Sequence, residues 1–238
     1  MVSVVITQSM LFPWVGLLEQ IRLADVIVHY DDVQFSKGSF VNRVQLKFPA
    51  QTKWMTVPLR GLSLGQTIDE VAIDDSRDWR AGHHTLLQRS LGETPHFRDV
   101  LDVVERCYQP EHSRIGPLAR QSLLECASYF GLLKDKRVLD VRELSISGSS
   151  TQRVLDVVTA VGGTEYITGH GARTYLDHKA FEDNGISVQY MQYEKSPYPQ
   201  LNGDFTPYVS SLDLIANCGE TGRDSIRSGT VSWREFLE

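Results

Sequence analysis

The chain has 238 residues, 41% of them hydrophobic and 23% charged, enough to bury a sizeable core without disulfides or metals. Lys and Arg number 24 against 30 Asp and Glu, a formal charge of −6, which argues against a general nucleic-acid binder needing surplus cations to displace phosphate counterions. Three widely spaced cysteines, Cys107, Cys126 and Cys218, form neither a disulfide framework nor a zinc pattern. No stretch approaches the ~20 apolar residues of a membrane span, and no basic signal-peptide start is visible, so the reading is a cytoplasmic protein.

Val2 to Ile6 is a β-branched run and predicts a central strand. Pro13 suits the first turn of a helix from about Trp14 to Ala24, with Leu17, Leu18 and Ile21 facing inward. Val26 to Tyr30 reads as a second strand, and strand–helix–strand in this span is a βαβ unit with a parallel pair. Residues 39–48 and 53–59 alternate apolar and polar side chains around a turn at 49–52, which predicts an antiparallel hairpin; 67–73 would add a third strand. Helices follow at about 79–91, 97–107 and 113–130. The α/β rhythm returns with strands at 137–141, 166–168 and 186–193 and helices from Ser149 or Ser150 to Val161 and from Thr174 or Tyr175 to Asn184. A short helix around 212–217 and a polar tail complete the chain.

No repeat or linker interrupts this order. It predicts one three-layer α/β domain over residues 1–238 with a mainly parallel sheet, an antiparallel hairpin and helical segment at 39–136 being inserted between its halves.

Ligands of open α/β sheets sit outside the carboxyl ends of the parallel strands. The first strand is followed by Thr7, Gln8 and Ser9, the second by Asp31, Asp32, Gln34, Ser36 and Lys37, the third by the Ser-rich run 145–150, the fourth by Gly169-His170-Gly171. Adjacent carboxylates such as Asp31 and Asp32 suit cation or sugar binding or general-base work, or simply cap a turn. Lys37, Asn42 and Arg43 could hold a phosphate or carboxylate, or form a solvated hairpin face. His170 could serve as acid or base, and Gly169 and Gly171 permit close backbone approach. His83 and His84, adjacent on a helix, cannot share one face and make no metal pair; His112 and His178 read as surface residues. The chain holds no Gly-x-Ser-x-Gly and no P-loop, and the residues name no metal or cofactor.

Several segments together resemble the WbqC-like family. They are Gln8, Phe12-Pro13-Trp14-x-Gly16, Ala24-Asp25-Val26, Asp31-Asp32-Val33-Gln34-Phe35-Ser36-Lys37, Asn42-Arg43 and Thr56-Val57-Pro58. Further on come Gly163-Thr164-Glu165-Tyr166, Gly169-x-Gly171-Ala172, Tyr175-Leu176-Asp177, Tyr198-Pro199-Gln200 and Ser211-Leu212-Asp213. The resemblance spans nearly the whole chain. It implies an enzyme of bacterial surface-polysaccharide (O-antigen) or related small-molecule biosynthesis, acting by group transfer, and carries over no established catalytic residue. The opening also resembles nucleotidylyltransferase-type α/β domains, and Ile146 to Arg153 is similar to their Ser/Thr-rich motif. The two histidines that bind phosphates in that family are replaced here by Trp14 and Leu17.

The expectation is therefore a transferase moving an acyl, aminoacyl or similar group to an amino-sugar, sugar nucleotide or small amine. Catalytic candidates are Asp31, Asp32 and His170. Substrate-binding candidates are Gln8, Trp14, Gln34, Lys37, Asn42, Arg43, Gly169, Gly171, Tyr175, Asp177 and Gln200. The alternatives are a nucleotide-dependent activating enzyme and a non-catalytic ligand-binding protein. Gln8, Asp31, Asp32, Lys37, Arg43 and the Gly169–Ala172 loop should line one concave pocket.

Overall fold

A computed structural model describes all 238 residues. The parallel strands β1 (Ser3–Thr7) and β2 (Val26–His29) are joined by helix α1 (Val15–Leu23), with Pro13 just outside the helix start. The inserted segment carries the hairpin β3 (Arg43–Phe48) and β4 (Gln51–Thr56), then a minor pair, β5 (Leu59–Arg60) with β6 (Ala72–Ile73). Helices α2 (Trp79–Leu91), α3 (Phe97–Tyr108) and α4 (Ile115–Tyr129) follow. The chain then rejoins the sheet through β7 (Arg137–Asp140), α5 (Ser150–Ala160), β8 (Glu165–Thr168), α6 (His178–Asp183) and β9 (Ser187–Gln192). Helix α7 (Ser211–Cys218), strand β10 (Gly229–Ser232) and helix α8 (Trp233–Leu237) close it.

The main sheet runs in the order β10-β9-β8-β1-β2-β7; only β10 is antiparallel to its neighbour. Alternate side chains along β1 and β2 go to opposite faces, as the two-residue period of a strand demands. Val5 and Ile27 pack with Leu17, Leu18 and Ile21 of α1 and with the buried faces of α2–α4 and α7. Val4, Val26 and Val28 pack with Val154 and Val158 of α5, Phe181 of α6 and Val188 of β9. A sheet covered on both faces needs apolar residues throughout, which is why β2 reads as a continuous buried run. Each such side chain, fully buried, contributes about 1.5–3 kcal/mol of transfer free energy. No helix is long and apolar enough to cross a membrane.

Three expectations need correction. Residues 67–70 form a 3₁₀ turn closed by reciprocal Thr67 and Glu70 hydrogen bonds, leaving only Ala72–Ile73 as strand. A 3₁₀ turn over His170–Thr174 precedes α6, which starts only after Asp177 accepts from the Lys179 and Ala180 amides. His178 is buried, its Nε2 2.8 Å from the Tyr190 hydroxyl and its ring stacked on Trp233, so the tail supplies an edge strand and a helix that cover it.

Glu19 of α1 is 1% exposed, and its Oε2 has no hydrogen-bond partner. Burial, with Glu194 opposing the charge, raises its pKa to about 7 against the partial offset of Arg22 and Lys195. The folded state therefore holds this proton to higher pH than the unfolded chain, whose carboxyl titrates near 4.5. The stability this contributes is fully present below that value and is lost as pH rises to about 7. Glu19→Gln should remove this slope, leaving the variant about 1–3 kcal/mol better placed relative to wild type at pH 8 than at pH 4.5. Urea titrations at both pH values read this out, and parallel pH profiles would reject it.

Candidate functional site

The strand order puts a topological switch point between β1 and β8. From β1 the chain moves outward through β2 to β7; from β8 it moves the other way to β9. The connections leaving β1 and β8 diverge, and a crevice opens beyond their carboxyl ends. Here it is a cleft of about 670 Å³. Its walls are Thr7 and Gln8 at the end of β1, Tyr30 and Val33 after β2, Gly148 to Ser150 and Arg153 at the start of α5, Thr168 to Ala172 at the end of β8, and the rings of Trp14, Tyr175 and Tyr193.

The Phe12-Pro13-Trp14-x-Gly16 motif has a packing reason. The Trp14 ring folds back over Gly16, where a Cβ would lie 2.2 Å from the indole. Its other neighbours are Tyr193 and Tyr208, with ring centroids 5.0 and 6.4 Å away. Phe12 takes a left-handed φ of 38°, held by hydrogen bonds from its N–H to Ser122 Oγ and from Ser210 Oγ to its carbonyl.

No Asp, Glu or Lys lines the cleft, although the chain carries 30 acidic residues. Arg153, 8% exposed, is the one permanent cation on the wall. Asp32 accepts both of its terminal nitrogens, one at 3.0 Å; the Ile146 carbonyl accepts its Nε, and the guanidinium lies 4.7 Å from the Tyr30 ring centre. Asp32 thus acts as the mount for Arg153. The start of α5, where the first amide N–H groups of a helix lack intrahelical acceptors, borders the same cleft, and the Ser149 side chain makes no cap bond. Burial raises the pKa of Tyr30, Tyr175 and Tyr193, the last to about 12, so these phenols stay protonated and can donate.

His170 borders the cleft with its ring against Tyr193 and Phe236. Its Nε2 lies 2.7 Å from the Met191 carbonyl, which can only accept. The proton of the neutral ring is therefore on Nε2, and Nδ1 keeps a free lone pair.

The expected single pocket divides into separate places. Gln8, Trp14, Gly169, His170, Gly171 and Tyr175 meet in the cleft. Lys37, Asn42 and Arg43 line a second pocket of about 350 Å³, with the Asn42 amide donating to the Val57 carbonyl. Gln34 is exposed and bridges to Thr67. Asp177 caps α6. Gln200 binds buried Lys47, Tyr198 and the Thr206 backbone, an inner polar cluster that includes Asp213, whose pKa burial raises to about 6.

Asp31 has a different surrounding from the one expected. It is completely buried and borders none of these cavities. Its oxygens accept the Ser9 N–H at 2.8 Å, the Ser9 hydroxyl at 2.6 Å and Arg120 at 2.9 Å. Arg120 also pairs with Asp69 and Asp140, and Arg142 with both of those. Burial alone would raise the Asp140 pKa, but the Arg142 hydrogen bonds and the two guanidinium charges hold it well below the carboxylate range. Ser9 Oγ is 2.9 Å from His29 Nδ1, yet Ser9, His29 and Asp31 are sealed from solvent, and burial lowers the His29 pKa to about 4. A serine bridging histidine and aspartate inside the core ties the β1 and β2 ends together and cannot reach a substrate. No group of three or more His, Cys, Asp or Glu side chains is placed to hold a metal ion.

Arg153, Tyr30 and Tyr193 are among the cleft residues that sequence reasoning missed. For Arg153 the signal was its position one turn into a helix opened by Ser149-Ser150; for Tyr30 and Tyr193 it was their place at the carboxyl ends of the strands 26–30 and 186–193.

This architecture defines an α/β protein with a cleft at the switch point of its mainly parallel sheet. The chain belongs to the WbqC-like protein family, which matches residues 8–225. It is 31% identical over 230 residues to an uncharacterised protein of Mycobacterium tuberculosis, a match spanning 95% of this chain and 98% of the relative. No solved structure matches it.

Proposed function

We propose that the protein is an enzyme that transfers an acyl, aminoacyl or similar group to an amino-sugar, sugar nucleotide or small amine in surface-polysaccharide or related small-molecule biosynthesis. Its active site is the switch-point cleft. The observation that carries this reading is the cleft's lining: hydroxyls, amides and aromatic rings, one mounted arginine and one histidine with a free Nδ1, without a carboxylate. Such a wall favours a neutral or anionic ligand rich in hydroxyl groups, and a phosphate-bearing sugar or nucleotide has that chemistry. Arg153 and the α5 amides would hold the anionic part, and the aromatic rings the flat or apolar part. His170 Nδ1 would take the proton that an amine or hydroxyl loses when it forms the new bond to the transferred carbonyl carbon, while the donor's leaving group departs with the bonding electrons.

A nucleotide-activating enzyme is the second reading, and the Gly148–Ser150 entry to α5 favours it. One experiment separates the two. Thermal unfolding is followed with ATP and Mg²⁺, with UDP- and dTDP-linked amino sugars, and with the metabolites that mass spectrometry finds on the purified protein. A cleft ligand at 100 times its Kd adds about 2.7 kcal/mol, a rise of roughly 5–10 °C for a chain of this size. Stabilisation by sugar nucleotides supports group transfer; stabilisation by ATP with Mg²⁺ alone supports activation; stabilisation by none of them rejects both.

A further inference from the structure

The second pocket is a separate concavity between the segment after β2 and the β4–β5 connection. Its apolar lining is Phe35, Val57, Leu59 and Leu62, and Lys37 and Arg43 line it as well. Neither cation is paired with an acid. Lys37 Nζ makes no hydrogen bond and no ion pair. Arg43 gives its Nε and one terminal nitrogen to the neutral Gly38 carbonyl, and its guanidinium lies 4.1 Å from the Trp54 ring centre. No Asp or Glu lines the pocket. Arg120 and Arg153, the mostly buried arginines at the sheet end, are by contrast matched by carboxylates. Two cations without an acid, beside apolar side chains in one concavity of a chain of charge −6, are complementary to an anion with an apolar body.

We propose that this pocket is a second ligand site, distinct from the cleft, that takes an oxyanion carried on an apolar group, the anion on Lys37 and Arg43 and the body on Phe35, Leu59 and Leu62. The shared chemistry is a carboxylate or a phosphate monoester on a hydrocarbon or aromatic frame. The site adjoins the cleft. Val33 lines the cleft and Phe35 lines the pocket, on one extended stretch bridged to residues 66–68, so their Cα positions are roughly 7 Å apart. A group-transfer enzyme binds two reactants, and an adjoining cationic pocket would hold the second; its existence as a site does not depend on that reading.

The test is a backbone amide NMR titration of the whole chain with three probes: phenylacetate, phenyl phosphate and neutral 2-phenylethanol. The expected result is saturable shifts at residues 37–43 and 57–62 with at least one anion and none there with the alcohol. The tighter anion identifies the carboxylate or the phosphate source. Lys37→Gln, at a side chain that bonds nothing in the fold, should weaken that binding about tenfold. Arg43→Gln should weaken it at least as much. Shifts confined to residues 148–150 and 169–172, equal binding of the alcohol, or Lys37→Gln binding with wild-type affinity would each overturn the proposal. Loss of nucleotide binding in the cleft, by contrast, would reject the proposed function and leave this site standing.

Discussion

Asp31→Asn should lower the melting temperature by on the order of 10 °C, with any activity following the folded fraction. The carboxylate is fully buried, bonds Ser9 twice and pairs with Arg120. Removing one partner of a buried ion pair costs about 3–5 kcal/mol, and a chain of this length loses roughly 2–4 °C per kcal/mol. Arg120 keeps Asp140 and Asp69, which places the cost toward the lower end. Arg120→Met should destabilise similarly, and the double variant should cost less than the sum, because the two side chains act as one unit. A variant that melts like wild type yet has lost turnover would put Asp31 in the chemistry instead. Asp32→Asn makes the natural contrast: its side chain is 26% exposed and its partner is the cleft arginine, so its effect should appear chiefly in ligand affinity.

His170→Gln should reduce kcat by a factor of about 10² to 10⁴ while leaving ligand-induced thermal stabilisation nearly unchanged. The glutamine amide reaches as far as Nε2 and keeps a donor for the Met191 carbonyl, but it has no basic nitrogen in place of Nδ1. The check is steady-state kinetics with the substrate found in the binding screen, beside the melting curves of the same variant. An unaltered kcat would show that no proton passes through His170. A fall in stabilisation equal to the fall in kcat would assign it to binding.

Much of the architecture was readable because it rests on local signals. The β-branched runs gave five parallel strands at nearly the places where they are found, and the helix expected at 79–91 is α2, capped by Asp78, whose side chain accepts from the Ala81 amide. The location of the cleft was readable for a related reason: strand direction determines where loops gather, and the loops after β1 and β8 carried the polar residues. Strand β10 was not readable. Its four residues are small and mostly polar, and only pairing with β9 makes them a strand.

Composition and periodicity by themselves determined the α/β class, the parallel strands and the strand-end loops that could carry a site, because burial on two faces of a sheet leaves an apolar pattern in any sequence. Which charges meet was decided by tertiary structure alone. Asp31 and Asp32 are neighbours in the chain, yet one is sealed against Arg120, 89 residues away, and the other mounts Arg153, 121 residues away, at the edge of the cleft. Lys37 and Arg43, equally charged on paper, find no acid at all. Ion pairing depends on through-space distance and desolvation, and neither quantity is encoded in the spacing of residues along a chain.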